Sequence, residues 1–260
     1  MDALVDAWLD AITSFEETVM QISDSDFAAP SLLPGWTVGD VVAHVAALEA
    51  ELAERELPDH EPDWEDLTHA VDSFSRYTER GVDARRAWPP ALVRAELREV
   101  VEERTEQLRS VRPGDVITGI RGRTMPVEQL LRMRCFDIVV HEVDVRDALG
   151  LPGPHLGAGA RVCLDQMASG LGYVFAKRAA ARPGQVLHMV VPDWVDVWIT
   201  MGEDGRARIS DPGEATVTVT LPVEQFLRLA AGRRGDTGSA EVAGDPALAR
   251  QVLAGLNVAP

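Results

Sequence analysis

Cysteine is scarce: the 260 residues hold only Cys135 and Cys163, with no CxxC spacing. That excludes a disulfide scaffold and makes the reducing cytoplasm the default compartment. Positive charge is also short, with a formal net charge of −17. A phosphate backbone would be repelled, so nucleic-acid partners are excluded, and no basic helix offers itself to an anionic membrane. No apolar run approaches the roughly 18–20 residues of a spanning helix, and the acidic start MDALVDAWLD is unlike a signal peptide. Aromatics, at 5%, outline no distinctive pocket, and lysine is almost missing: of 25 basic residues only Lys177 is one. That arginine bias reads as a bacterial, GC-rich coding sequence. Neither GxSxG nor a P-loop occurs, and GAGAR (Gly157–Arg161) lacks the third glycine of a dinucleotide fingerprint.

What is present is an ordinary globular composition, 46% hydrophobic and 26% charged, long enough for one or two domains. The first half has helical periodicity. Leu4, Trp8, Leu9, Ile12, Phe15 and Val19 share one face of a first helix. A second opens after Pro34-Gly35, with Thr37 as N-cap and Asp40 three residues on, and carries His44 two turns in. A further helix ends at Pro113-Gly114, and another runs from Pro126 to Leu149, closed by Gly150. Helices of this length suggest a bundle over residues 1–156, with a connecting helix and linker over 157–183. From 184 the pattern changes. QVLHMVV, VDVWITM, RARIS and ATVTVTL read as strands and are followed by two helices, the last capped by Asp245 with Pro246 next. Residues 184–260 are therefore expected to form a small α+β domain.

The helix from Pro126 to Gly150 carries the chemistry. At about 100° per residue, Arg134, Asp137, His141 and Asp144 fall on one stripe, while Leu131, Cys135, Ile138, Val139 and Val143 cover much of the rest. Arg132, Glu142 and Arg146 read as the solvated edge, so the stripe is not needed there. Burying its members unpaired would cost several kcal/mol, so they must pair, meet a wet cavity or hold a metal. Asp137 and His141, one turn apart, can chelate a cation, with His44 as third ligand. Two imidazoles and a carboxylate leave a fourth zinc position for water, substrate or a thiolate. Asp40 and Asp144 are placed to orient the ligand imidazoles, and Arg134 to pair with Asp137 or Asp144 or to grip a substrate carboxylate. Taken singly, His44 reads more readily as a hydrogen-bonded core residue than as a ligand, and Asp137/His141 as a helix-surface pair; the stripe on an otherwise apolar helix is what favours a metal. Cys135 points away from the stripe and reads as core. His60 and His69 read as surface residues, and Trp194 and Trp198 as packing.

PGWTVGDVVAH, the pattern Arg134-x-x-Asp137-x-x-x-His141-x-x-Asp144, and the run ATVTVTLPVEQFLRLAAGR resemble the mycothiol-dependent maleylpyruvate isomerase family. The resemblance implies an N-terminal DinB-like four-helix bundle and a small sterol-carrier-like C-terminal α+β domain. It implies Zn2+, or another divalent metal, on His44, Asp137 and His141, with Asp137 standing where the family usually has Glu. It further implies mycothiol as thiol cosubstrate, a small and carboxylate-bearing electrophile, and a C-terminal arginine at the active site, for which Arg233 is the candidate by position, with Arg228 and Arg234 as alternatives. Such an enzyme isomerises or conjugates its substrate in an actinobacterial cytoplasm. The competing readings are a mycothiol S-transferase, a metal-dependent hydrolase, and a non-catalytic ligand-binding or regulatory module.

Overall fold

Helix α2 (Val38–Leu52) starts where the sequence places it. The Thr37 hydroxyl oxygen accepts from the Asp40 N–H at 3.1 Å, and the Asp40 carboxylate accepts from the Thr37 N–H at 2.8 Å. This reciprocal box satisfies two of the N–H groups that a helix start leaves open.

A computed structural model describes residues 1–259 and divides into two compact units, Met1–Val162 and the chain from Cys163 onward. The first unit is helical, with α1 (Asp2–Gln21), α2, α3 (Ser73–Arg86), α4 (Pro90–Leu108) and α5 (Val127–Leu149). α1 packs on α4 and α5, while α2 packs on α3, α4 and α5. Thus α1, α2, α4 and α5 make the four-helix bundle, and α3 lies against α2. Trp8, Ile12, Phe15, Leu97, Leu131 and Ile138 are wholly buried in it. Each contributes about 1.5–3 kcal/mol of apolar burial.

α5 is central. Its C-cap Gly150 takes φ 63°, a left-handed conformation glycine adopts without a Cβ penalty. One sequence expectation fails here: Glu142 is not on a solvated edge but only 1% exposed. Its Oε1 accepts from Ser14, Thr18 and Arg146, so α1 supplies the polar partners that let a carboxylate sit inside. A short hairpin, β1 (Val116–Thr118) with β2 (Thr124–Pro126), precedes α5 and is not visible in the residue pattern.

α6 (Ala158–Tyr173) crosses the boundary between the units, so the segment read as a separate connector is shared by both. It widens into a π turn over Val174–Arg178, and Ala180 follows at φ 49°.

The second unit holds a five-stranded sheet of order β5-β4-β3-β6-β7. Its strands are β3 (Val186–Val191), β4 (Val195–Met201), β5 (Ala207–Ser210), β6 (Val217–Thr220) and β7 (Glu241–Gly244). Only the β3–β6 pairing is parallel. Leu187, Met189, Ile199, Val217 and Val219 form its buried face. Helices α7 (Val223–Ala230) and α8 (Pro246–Gly255) follow as read from the sequence, and α8 packs on β6 and β7. β7 was not anticipated: all four of its residues are exposed, and EVAG shows no alternation.

Candidate metal centre

α2 and α5 run side by side in the bundle and bring three side chains to one point. His44 comes from α2; Asp137 and His141 come from successive turns of α5. The Nε2 atoms of His44 and of His141 each lie 3.5 Å from the same oxygen, Oδ1 of Asp137. One ligand atom from each residue falls within 4.8 Å of the others. Tetrahedral zinc with bonds near 2.0–2.1 Å has ligand–ligand edges of about 3.3 Å, so two of the three edges stand close to that spacing. The His44 Nε2 is buried and has no hydrogen-bond partner among the described residues. A buried imidazole nitrogen aimed at a carboxylate oxygen and a second imidazole suits a cation, and the donor set fits zinc.

The surroundings fix each donor. His141 Nδ1 lies 3.0 Å from Asp144 Oδ2, which turns Nε2 toward Asp137. The Asp137 Oδ2 accepts from Arg134 Nη1 at 2.8 Å, leaving Oδ1 for the centre. Arg134 Nε donates in turn to Glu49 Oε1 at 2.9 Å, and Glu49 also accepts from Trp8 and from Arg104.

Two expected roles change. Asp40 does not orient His44: its carboxylate serves the α2 cap and accepts from Arg86 Nε at 3.1 Å. Arg134 is not placed to grip a substrate carboxylate, because it is 0% exposed and gives Nε to Glu49 and Nη1 to Asp137, while its Nη2 is buried with no partner among the described residues. It is a brace for Asp137. Arg233 follows α7 in the second unit, where its Nη1 donates to the Ala231 carbonyl at 2.8 Å.

Electrostatics follow from this packing. Burial lowers the His44 pKa more than Asp137 raises it, so this imidazole is held neutral. Burial works against charge on His141 too, but Asp137 and Asp144 outweigh it and lift the pKa to about 9. Burial would raise the Asp137 carboxyl, yet Arg134, His141 and His44 together hold it well below the usual carboxylate range. Cys135 is buried with its thiol pushed up to about 12, chiefly by desolvation, which makes it core rather than nucleophile.

Residue reading along the chain missed Trp36, Glu49 and Glu79. The Trp36 ring stands 5.1 Å from that of His44 and 6.3 Å from that of His141, walling the cluster. Its Nε1 donates to Glu79 Oε2 at 2.6 Å, and Glu79, 1% exposed, also bonds Arg86 and His69. His69, expected on the surface, is drawn into this network, while His60 pairs with Asp83. Gly35 beside Trp36 has φ 79°, and a Cβ there would meet His69 Nδ1 at 2.2 Å, so the turn admits only glycine. One signal for Glu49 was available: an acid inside the nearly unbroken apolar run VVAHVAALEAEL needs a buried cation. In the second unit His188 stacks on Trp198 at 4.0 Å, a packing pair.

Residues 8–146 match the mycothiol maleylpyruvate isomerase N-terminal domain, and residues 161–251 match the corresponding C-terminal domain. A crystal structure of the mycothiol-dependent maleylpyruvate isomerase superimposes with a TM-score of 0.58 at 19% identity, covering 93% of this chain and 92% of that one. A structure of a histidine-to-alanine mutant of that enzyme superimposes with the same values. At such identity the likeness speaks for the fold. No curated protein matches the sequence.

Proposed function

The chain belongs to the mycothiol-dependent maleylpyruvate isomerase family, and from that premise we propose that it is a metal-dependent enzyme which uses a low-molecular-weight thiol, mycothiol, to isomerise or conjugate a small electrophile. The observation that carries this reading is the convergence of His44 and His141 on one oxygen of Asp137, with a buried imidazole nitrogen left without a hydrogen bond.

His44, Asp137 and His141 would hold a divalent cation, for which zinc suits two imidazoles and a carboxylate. When bound, the ion supplies an electron-poor open position that lowers the pKa of a thiol. The residues of the chain do the rest. His44 enters as a neutral donor because its burial has already removed the proton. Asp144 holds His141 by Nδ1 so that Nε2 is the donor, and Arg134 holds Asp137 by Oδ2 so that Oδ1 is. Glu49 balances the charge of Arg134 in the core. Trp36 covers the imidazole pair and keeps bulk water from them.

The test is turnover of a cis-alkene electrophile by zinc-reconstituted protein with and without mycothiol. The reading expects acceleration only with thiol. Equal metal-dependent turnover without thiol would replace it with hydrolysis, and tight binding without turnover would replace it with a binding module.

A further inference from the structure

Beside the cluster the first unit opens a cavity of about 160 Å³ with His44 in its wall. Ala47 and Leu48, one turn on along α2, line it with Leu57 and Pro58 from the loop that follows. These are apolar walls. The polar end is formed by Glu51, whose carboxylate accepts from the Tyr77 hydroxyl and, at 2.9 Å, from the Arg121 backbone N–H. Both donors are neutral, and among the described residues the one cation at this end, the Arg121 guanidinium, stands over the Tyr77 ring 5.5 Å from its centroid without forming an ion pair with Glu51.

The cations that border the cavity are already matched. Arg85, 2% exposed, makes a two-pronged pair with Glu96 at 2.6 and 2.7 Å and gives Nη1 to the Gly81 carbonyl. Arg80 lies toward solvent and pairs with Glu61 at 2.8 Å. On the cluster side Arg134 is held by Glu49 and Asp137, and Arg86 by Asp40, Glu79 and Asp83. A substrate carboxylate entering here would leave water, meet the field of Glu51, and find Arg85 and Arg80, the two arginines in the wall, already paired with Glu96 and Glu61.

We propose that the electrophile this pocket takes is a neutral, largely apolar molecule rather than a carboxylate, with Glu51 and the matched arginines setting the preference. This deepens the thiol-dependent reading above and rests on it for the chemistry. The reaction balances with no other reagent. Thiolate sulfur bonds to one carbon of a cis alkene as the π pair moves onto the conjugated ester carbonyl. The former double bond rotates, the pair returns, and the C–S bond breaks to release the same thiolate and the trans alkene. Nothing is oxidised, and no thiol is consumed.

Dimethyl maleate, monomethyl maleate and maleate share one skeleton and differ in charge. Zinc-reconstituted, full-length protein is given each with mycothiol, and formation of the trans product is followed by proton NMR. Each rate is divided by the rate with thiol alone, which removes the intrinsic reactivity of the esters. The diester should be accelerated at least about tenfold more than the dianion, with the monoester between, because like charges oppose only the acids. Glu51→Gln, which keeps the acceptor for Tyr77, and Leu57→Arg, at a position 46% exposed, should each narrow that ratio. Equal or greater acceleration of maleate overturns the proposal. If no substrate is accelerated, the thiol reading fails, and the pocket is judged separately with two unreactive probes, dimethyl succinate and succinate, by saturation-transfer NMR. Binding of the diester that Leu57→Arg weakens upholds the preference for neutral ligands; tighter or equal binding of succinate overturns it.

Discussion

His141 meets Asp144 through Nδ1 at 3.0 Å, both on α5 and less than one turn apart. That bond decides which imidazole nitrogen faces Asp137. Asp144→Asn should therefore lower zinc affinity by about 10–100-fold. Competition with a chromophoric chelator reads the affinity, and a urea midpoint recorded alongside separates lost affinity from lost fold. Unchanged affinity would mean that Asp144 has no part in the centre.

A proton count follows from the charges. Without metal, His141 keeps its proton up to about pH 9, because Asp137 and Asp144 outweigh the effect of burial, whereas His44 is already neutral. A ligand imidazole must be neutral, so loading displaces the His141 proton, and apparent affinity rises with pH until about 9 and then levels. Calorimetry at pH 7.5 in buffers of different ionisation enthalpy should register the release of about one proton per zinc. Release of none at that pH would show that His141 is not the residue displaced.

The brace behind Asp137 is a matter of stability as well. Glu49 is 0% exposed and accepts from Trp8, Arg104 and Arg134. Glu49→Gln removes the charge between two buried guanidinium groups and should destabilise the first unit by about 3–5 kcal/mol. Breaking the exposed Arg109–Glu106 pair should cost about 1 kcal/mol or less. Urea unfolding of both variants makes the comparison, and similar small losses would contradict the role given to Glu49.

The proposed function takes its nucleophile from an external thiol. Cys135 and Cys163 are wholly buried, and the Cys135 thiol is pushed up to about 12. Ellman's reagent should find no reactive thiol in native protein at pH 8 and two in denaturant. Cys135→Ala should keep thiol-dependent turnover, and its loss in a folded variant would move the chemistry onto the protein's own sulfur.

Local rules carried much of the site. The capping box at Thr37 and Asp40 depends on a spacing of three, and the Asp137/His141 pair on a spacing of four, so both are legible from residue order. The strands β3, β4 and β6 showed through their burial-ready alternation, while β7 had no alternation to show. What stayed hidden depends on which helices face each other. Arg134 looked free for a substrate because its partner Glu49 lies on α2, and Asp40 looked free for His44 because Arg86 lies on α3. Glu142 looked solvated for the same reason, its partners Ser14 and Thr18 being on α1. Pairings across helices are fixed by packing, and single-helix periodicity holds no record of them.

We read His44, Asp137 and His141 as a metal centre. The most direct test is metal content per chain by plasma mass spectrometry, after zinc loading and dialysis, for the native protein and for His141→Ala. About one zinc per chain is expected in the native protein, and none in the folded variant. A native protein that holds no metal after loading, or a variant that keeps it, would show that these three residues are not a metal centre.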